Sequence, residues 1–356
     1  MALAPKEALV SVITPVYNGA AFLRECMQSV LDQSYGNFEY IVADNCSTDD
    51  SLEMAQELAA GDSRITVVRG ESHVGPIQNW NRSLKSISPQ SDYIKFVHAD
   101  DWLFPDCIAR MVDVAENDTN VGLVSAYRLE EDRVSLDRLP ENAPLVPHTD
   151  TFTMNGRDVV RAILREKASV LGSPTNFLLR SNLLRPDEPF FCEDFLHSDK
   201  EACLRILDKC DFGFVRQVLT FTRRHNESVT SKTNSLDTRR QDNLLMLCKH
   251  GPEFLSESEY SSTLSGDLRR YYDFLARNVG VGMGDEFWNS HQQVLEAAGS
   301  PFRASKLLRA TLRRWANPVN ALKENRRKRS QQHRKLDQAT IQLITDTRID
   351  SEDSQD

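Results

Sequence analysis

Asp100 and Asp101 stand side by side where a short apolar run, Tyr93-Ile94-Lys95-Phe96-Val97, gives out, and Pro105 follows at a position that suits the first turn of a helix. Two adjacent carboxylates can hold a hard cation through oxygen or can simply form an acidic turn, and the dipeptide alone leaves both readings open. Other polar groups raise the same question. Thr14-Pro15-Val16-Tyr17 closes a β-branched run that starts at Leu9, and Asp44-Asn45 closes the run from Phe38 to Ala43. Asp199 precedes Cys203, Leu204 and Leu207, an apolar stripe at helical spacing, so it belongs in a helix's first turn, where a carboxylate is by default a cap. Arg223, Arg224 and His225 form a basic cluster that suits phosphate, or a solvated loop.

The elements around these residues alternate. Strands are expected at 9–14, 38–43, 65–68, 93–97 and 121–127, and helices at 20–32, 51–60, 76–87 and 105–115, with Leu23, Met27, Val30 and Leu31 supplying the first apolar stripe. Strand-helix alternation at this spacing implies right-handed crossovers and a mostly parallel sheet. Ligands of such sheets sit beyond the carboxyl ends of the strands. The loops with Tyr17, Asp44-Asn45 and Asp100-Asp101 then gather along one edge, which weakens the bland reading of each.

Composition narrows the field. A net charge of -9 over 356 residues with 40% apolar content fits a soluble globular protein and disfavours nucleic acid as a partner of the whole surface. No apolar run is long enough to span a bilayer, and Met1 to Glu7 lacks the pattern of a secretion signal, so a cytoplasmic protein is expected. Seven scattered cysteines without a CxxC pair read as reduced thiols, neither a disulfide framework nor a zinc site.

Val12-Ile13-Thr14-Pro15-Val16-Tyr17-Asn18, Ile41-Val42-Ala43-Asp44-Asn45-Cys46-Ser47-Thr48-Asp49 and His98-Ala99-Asp100-Asp101 through Pro105, in that order, resemble the family 2 glycosyltransferases, inverting enzymes of the GT-A fold. The resemblance covers about residues 9 to 232. It implies a Rossmann-like α/β domain over 1–232, a mixed, mostly parallel sheet with helices on both faces, while the residue pattern beyond it reads as a helical extension over 233–345 and an acidic tail over 346–356. It also implies sugar transfer from a UDP-, GDP- or dTDP-sugar to a glycan or lipid-linked acceptor, the chemistry of polysaccharide biosynthesis. Thr14, Pro15 and Tyr17 would line the base pocket with Asp44 and Asn45, the latter standing where the family usually has a second Asp. Asp101 would ligate Mg²⁺ or Mn²⁺ directly, and Asp100 would serve the ribose or the metal's water shell. Arg223, Arg224 and His225 would meet the departing diphosphate, His225 near the metal.

The same resemblance makes Asp199 the catalytic base, six residues before Arg205, although Ser198 stands where a Glu is usual. Glu193-Asp194 is a competing acidic pair whose spacing fits a preceding loop better. Ser173 to Arg180 reads as a strand running into a turn at the acceptor floor, and Leu129 to Asp158 as an irregular loop. Beyond Lys232 the pattern is helical, Gly280 to Gly284 reads as a turn, and Arg303 to Lys335 is a basic, amphipathic segment suited to an anionic membrane, a partner or solvent. A sugar-phosphate nucleotidyltransferase would want a basic, Gly-rich loop where Thr14 to Gly19 has no cation, and a non-catalytic glycan-binding or scaffold descendant would have no need of both Asp101 and Asp199.

Overall fold

In the computed structural model the described residues are 7–130, 133–135, 138–143, 150–185, 188–223 and 237–316. Four βα units open the chain: β1 (Val10–Val16), α1 (Ala20–Leu31), β2 (Phe38–Asp44), α2 (Ser51–Gly61), β3 (Ile65–Arg69), α3 (Pro76–Ser83), β4 (Tyr93–Phe96), the short β5 (Trp102–Leu103) and α4 (Cys107–Asn117). Then follow β6 (Val121–Glu130), β7 (Arg133–Ser135), β8 (Thr151–Met154), α5 (Gly156–Leu164), β9 (Phe177–Arg180), α6 (Ser198–Leu207) and β10 (Asp211–Thr222). Four helices complete the described chain: α7 (Thr238–Phe254), α8 (Glu257–Asn278), α9 (Asp285–Ala297) and α10 (Ala304–Ala316).

The strands form one sheet in the order β3-β2-β1-β4-β9-β6-β10-β5. β1 to β4 are mutually parallel, as the alternating pattern requires, and β6 pairs parallel with β10, whereas β9 runs antiparallel between β4 and β6. Both faces of the sheet are covered, which is why β1 is buried along its whole length. Val10, Val12 and Val16 pack under Leu23, Met27 and Val30 of α1 and Ile108 and Met111 of α4. Ile13, Ile41, Ile94 and Phe96 belong to the opposite layer, with Val159 and Ile163 of α5 and Leu204 and Leu207 of α6.

Three regions depart from the sequence pattern. Between Ser173 and Arg180 the order is reversed: a single 3-10 turn at Pro174–Asn176 comes first and the strand follows. Pro174 presets the turn, and the buried Lys95 ammonium fixes it by donating to the carbonyl oxygens of Thr175 (2.6 Å) and Phe177 (3.3 Å). The supposed loop from Leu129 to Asp158 contains the end of β6, then β7, β8 and the start of α5, although 131–132, 136–137 and 144–149 lie outside the described residues. The strand β10 is the third departure; its outer partners are the antiparallel β8 and β5.

The helical extension does not begin as a separate body. Met246, Leu247 and Phe254 of α7 are buried in the layer that covers α5 and α6. The helices α8, α9 and α10 share a smaller core built on Tyr271, Tyr272, Leu275, Phe287, Leu295 and Ala310. Gly280 and Gly282, at φ +80° and +76°, take the left-handed conformations that the α8–α9 turn needs, which confirms a turn and not a phosphate loop. Among the described residues no helix is long and apolar enough to cross a membrane.

Candidate active site

Where β4 ends, the chain turns back on itself, with the Asp101 N–H donating to the His98 carbonyl at 3.0 Å. The turn separates two neighbouring carboxylates. Asp101 is 1% exposed, and both its oxygens are engaged: Oδ2 accepts from the Thr175 hydroxyl at 2.6 Å and Oδ1 from the Arg223 main-chain N–H at 3.0 Å. Burial and the adjacent Asp100 charge push its proton affinity up, and these donors offset that only in part. Asp100 is half-buried. His98, Asp100 and Asp101 can bring one ligand atom each within 4.8 Å of one another, the only such group of three among the described residues. Both carboxylates expected at the cation belong to this group, and their surroundings differ. Asp101 is enclosed and anchors the turn; Asp100 is the more accessible carboxylate.

His98 adds a group that the sequence reading quoted without a role. Its Nε2 is buried without a hydrogen-bond partner, its Nδ1 lies 3.9 Å from Asp101 Oδ2, and its ring packs 5.0 Å from that of Trp80. Burial lowers its proton affinity while Asp100 and Asp199 raise it, so the neutral imidazole is favoured and can offer a lone pair. A carboxylate and an orphaned imidazole nitrogen over a buried second carboxylate fit a divalent cation.

The loops after β1 and β2 are zipped together. Ser47 and Ser51 hydroxyls accept from the N–H groups of Asn18 and Gly19, Asp49 accepts from Ala20, and Asn18 Oδ1 accepts from the Thr48 N–H. Asp44, buried at the end of β2, caps its own loop by accepting from the Ser47 N–H at 3.2 Å. Asn45 is also buried, and its amide pairs with the Val74 main chain: Nδ2 donates to the carbonyl at 2.8 Å and Oδ1 accepts from the N–H at 3.0 Å and from Arg82 at 2.9 Å. An Asp could not make the first of these bonds, which accounts for the departure from a double Asp. The ring of Tyr17, 48% exposed, lies 4.2 Å from His73, whose Nδ1 is 3.2 Å from the Asn45 carbonyl oxygen. This aromatic pair offers the open platform of the loop cluster.

Two expected base or phosphate contacts are otherwise employed. Thr14 is fully buried, with its hydroxyl 2.9 Å from Tyr40 and facing Cys26, and Pro15 is buried in register with Ala43. Arg223 donates Nε to the Asp100 carbonyl oxygen (3.2 Å) and Nη2 to Glu25 (2.7 Å), and its guanidinium lies 4.4 Å from the ring of Phe22. It clamps the β4 turn to α1 instead of presenting a free fork to a diphosphate. Arg224 and His225 lie outside the described residues.

Asp199 is in the first turn of α6, half-buried. Burial raises its carboxyl above the ordinary value, opposed by His197, the Lys200 N–H and His98. Asp199 and His98 influence each other's charge, which makes the start of α6 a neighbour of the β4 end. His197, two residues earlier, is tied down from the extension: Asp242 on α7 accepts from its main-chain N–H at 2.7 Å and lies 2.9 Å from its Nδ1. Glu193 and Asp194 are exposed in the loop before the helix, as their spacing suggested. Lys95, Thr175, Trp80 and Asp242 were not legible as site residues. Thr175 and Lys95 act through a turn whose position depends on the antiparallel β9, and Asp242 comes from a helix with no motif.

A parallel sheet whose β4 end gathers acidic residues opposite a helix-borne carboxylate is the plan of the GT-A fold. Residues 11–186 match the model for glycosyl transferase family 2, and the chain carries a family 2 glycosyltransferase domain. An uncharacterised protein of Mycobacterium tuberculosis is 28% identical over 243 residues, 66% of this chain and 73% of that one. The putative teichuronic acid biosynthesis glycosyltransferase TuaG of Bacillus subtilis is 40% identical over 93 residues, 26% of this chain and 36% of its own length. Among solved structures, residues 1–349 of S. aureus TarS in complex with UDP-GlcNAc superpose with a TM-score of 0.59 at 18% identity, covering 84% of this chain and 83% of that one.

Proposed function

We propose that this chain transfers a sugar from a nucleoside diphosphate donor to an acceptor hydroxyl with inversion, by a single displacement. The observation that carries the reading is the group of His98, Asp100 and Asp101 at the end of β4, of the kind that a diphosphate-bound cation needs, with Asp199 near enough to His98 for each to influence the other's charge. Asp100 and His98 would hold a divalent cation, Mg²⁺ or Mn²⁺, with the buried Asp101 fixing their turn. When bound, that cation neutralises charge on the diphosphate. Tyr17 and His73 offer the base a stacking surface, and Asp44 and Asn45 hold the loop beneath it.

The acceptor lies on the Asp199 side. Asp199 takes the hydroxyl proton as that oxygen attacks the anomeric carbon, so the new C–O bond forms while the bond to the leaving diphosphate breaks. Its half-buried position raises its basicity without removing the access that an acceptor needs. A relative, TuaG, is named for teichuronic acid biosynthesis, which supports a glycan acceptor for this chain.

Titration calorimetry with UDP-, GDP- and dTDP-sugars, with and without Mn²⁺, tests the donor side, and UDP-GlcNAc comes first because TarS has been solved with it. One donor class should bind in a metal-dependent way, and Asp100→Ala should weaken that binding by about 100-fold. Donor binding that ignores both metal and the substitution would overturn the reading. Slow donor hydrolysis by the wild-type chain would separate an enzyme from a glycan-binding descendant.

A further inference from the structure

Helix α10 (Ala304–Ala316) has two apolar stripes, and only one is covered. Leu307 and Ala310 pack with Tyr271, Tyr272 and Leu275 of α8, and the helix is pinned by Arg313, which donates to Asp273 at 2.7 Å, and by Arg314, which donates to the Ala276 carbonyl at 3.3 Å. Leu308, Leu312 and Trp315 recur at i, i+4 and i+7, roughly a third of a turn round the axis from the packed stripe. They are 60%, 52% and 75% exposed. Val279 and Val281, which follow shortly on Ala276, are exposed as well. Seven large hydrophobic side chains are exposed among the described residues, and these are five of them, so the pattern is a patch and not scatter.

The patch is set in positive charge. Lys306, Arg309, Arg313 and Arg314 flank it on the helix, and the sequence from Arg303 to Lys335 has twelve Lys and Arg against a single Glu, in a chain whose net charge is -9. We propose that this face docks on the surface of an anionic phospholipid bilayer, with Leu308, Leu312 and Trp315 entering the interface and Lys306 and Arg309 meeting head-group phosphates. A second copy offering the same face would bring one cationic surface against another, which disfavours a homodimer through this patch. Nucleic acid would satisfy the charge but leave the Leu and Trp stripe without a partner. At 13 residues the helix lies on a membrane instead of crossing it.

Co-sedimentation of the full chain with vesicles of phosphatidylcholine alone, or mixed with phosphatidylglycerol, reads this directly. The protein should pellet with the mixed vesicles only, and less so at high salt. Leu308→Ser with Leu312→Ser, at unchanged melting temperature, should lower vesicle affinity by roughly tenfold or more. Trp315→Phe should remove the vesicle-induced blue shift of the fluorescence. Failure to pellet with anionic vesicles, or equal pelleting of the double variant, would sink the proposal. So would light scattering that finds a dimer which the double variant turns into monomer, since that assigns the face to a second copy.

Discussion

The end of β4 and the first turns of α6 each carry two carboxylates close in sequence, one half-buried and one fully enclosed, yet the two regions are balanced differently. At β4, the buried Asp101 is held by a hydroxyl and a main-chain N–H, both neutral, with Asp100 beside it and its carboxyl pushed up. In α6, burial alone would push Glu201 up, but hydrogen bonds from His250, Lys249 and Arg205 outweigh it and hold the carboxyl at about 2. At β4 two carboxylates share one turn with a single arginine beside them, whereas in α6 one buried carboxylate is hydrogen-bonded by three basic side chains. The difference makes the β4 end, where burial raises Asp101, the place to test for the proposed cation, since Glu201 in α6 is already paired.

Breaking the compensation in α6 should have the largest effect on stability. Glu201→Ala strands Arg205, Lys249 and His250 around an apolar gap and should cost about 3–5 kcal/mol, read as a lower midpoint in urea. The wild-type carboxyl is depressed on folding, so its contribution is complete above its ordinary value of 4.5 and fades as pH falls toward about 2. The variant should therefore lose less stability than the wild type over that acid range. Equal losses would show that Glu201 is not the balanced member of the pair. A smaller effect is expected at β4. Saturating Mn²⁺ or Mg²⁺ at about 100 times its dissociation constant should stabilise the chain by about 2.7 kcal/mol, seen as a rise in melting temperature that Asp100→Ala abolishes. A rise that survives that substitution would move the cation elsewhere.

Much of this was legible in the sequence. The βα units were readable because β-branched runs and helical stripes alternate from Val10 onward, and the loops at Tyr17, Asp44 and Asp100 follow from strand direction alone. Asp199 in a helix's first turn was readable from Cys203, Leu204 and Leu207. Which carboxylate of a pair is enclosed was not, because adjacency fixes order and not environment. Asp101 is enclosed by Thr175 and Arg223, from elements 74 and 122 residues away. Asn45 was readable as a departure but not as a fit, since Val74 lies 29 residues on. The antiparallel β9 and the partners of β10 depend on pairings that no local pattern announces.

The division of labour between the two regions has one most direct test. The transfer rate and donor affinity of Asp199→Asn should be measured together, by rapid-quench kinetics with the preferred donor and by calorimetry. The account predicts donor affinity unchanged within a few fold and a rate reduced by about 10² to 10⁴, with the acid limb of the wild-type rate profile gone. A variant that binds donor and keeps most of its transfer rate would contradict it.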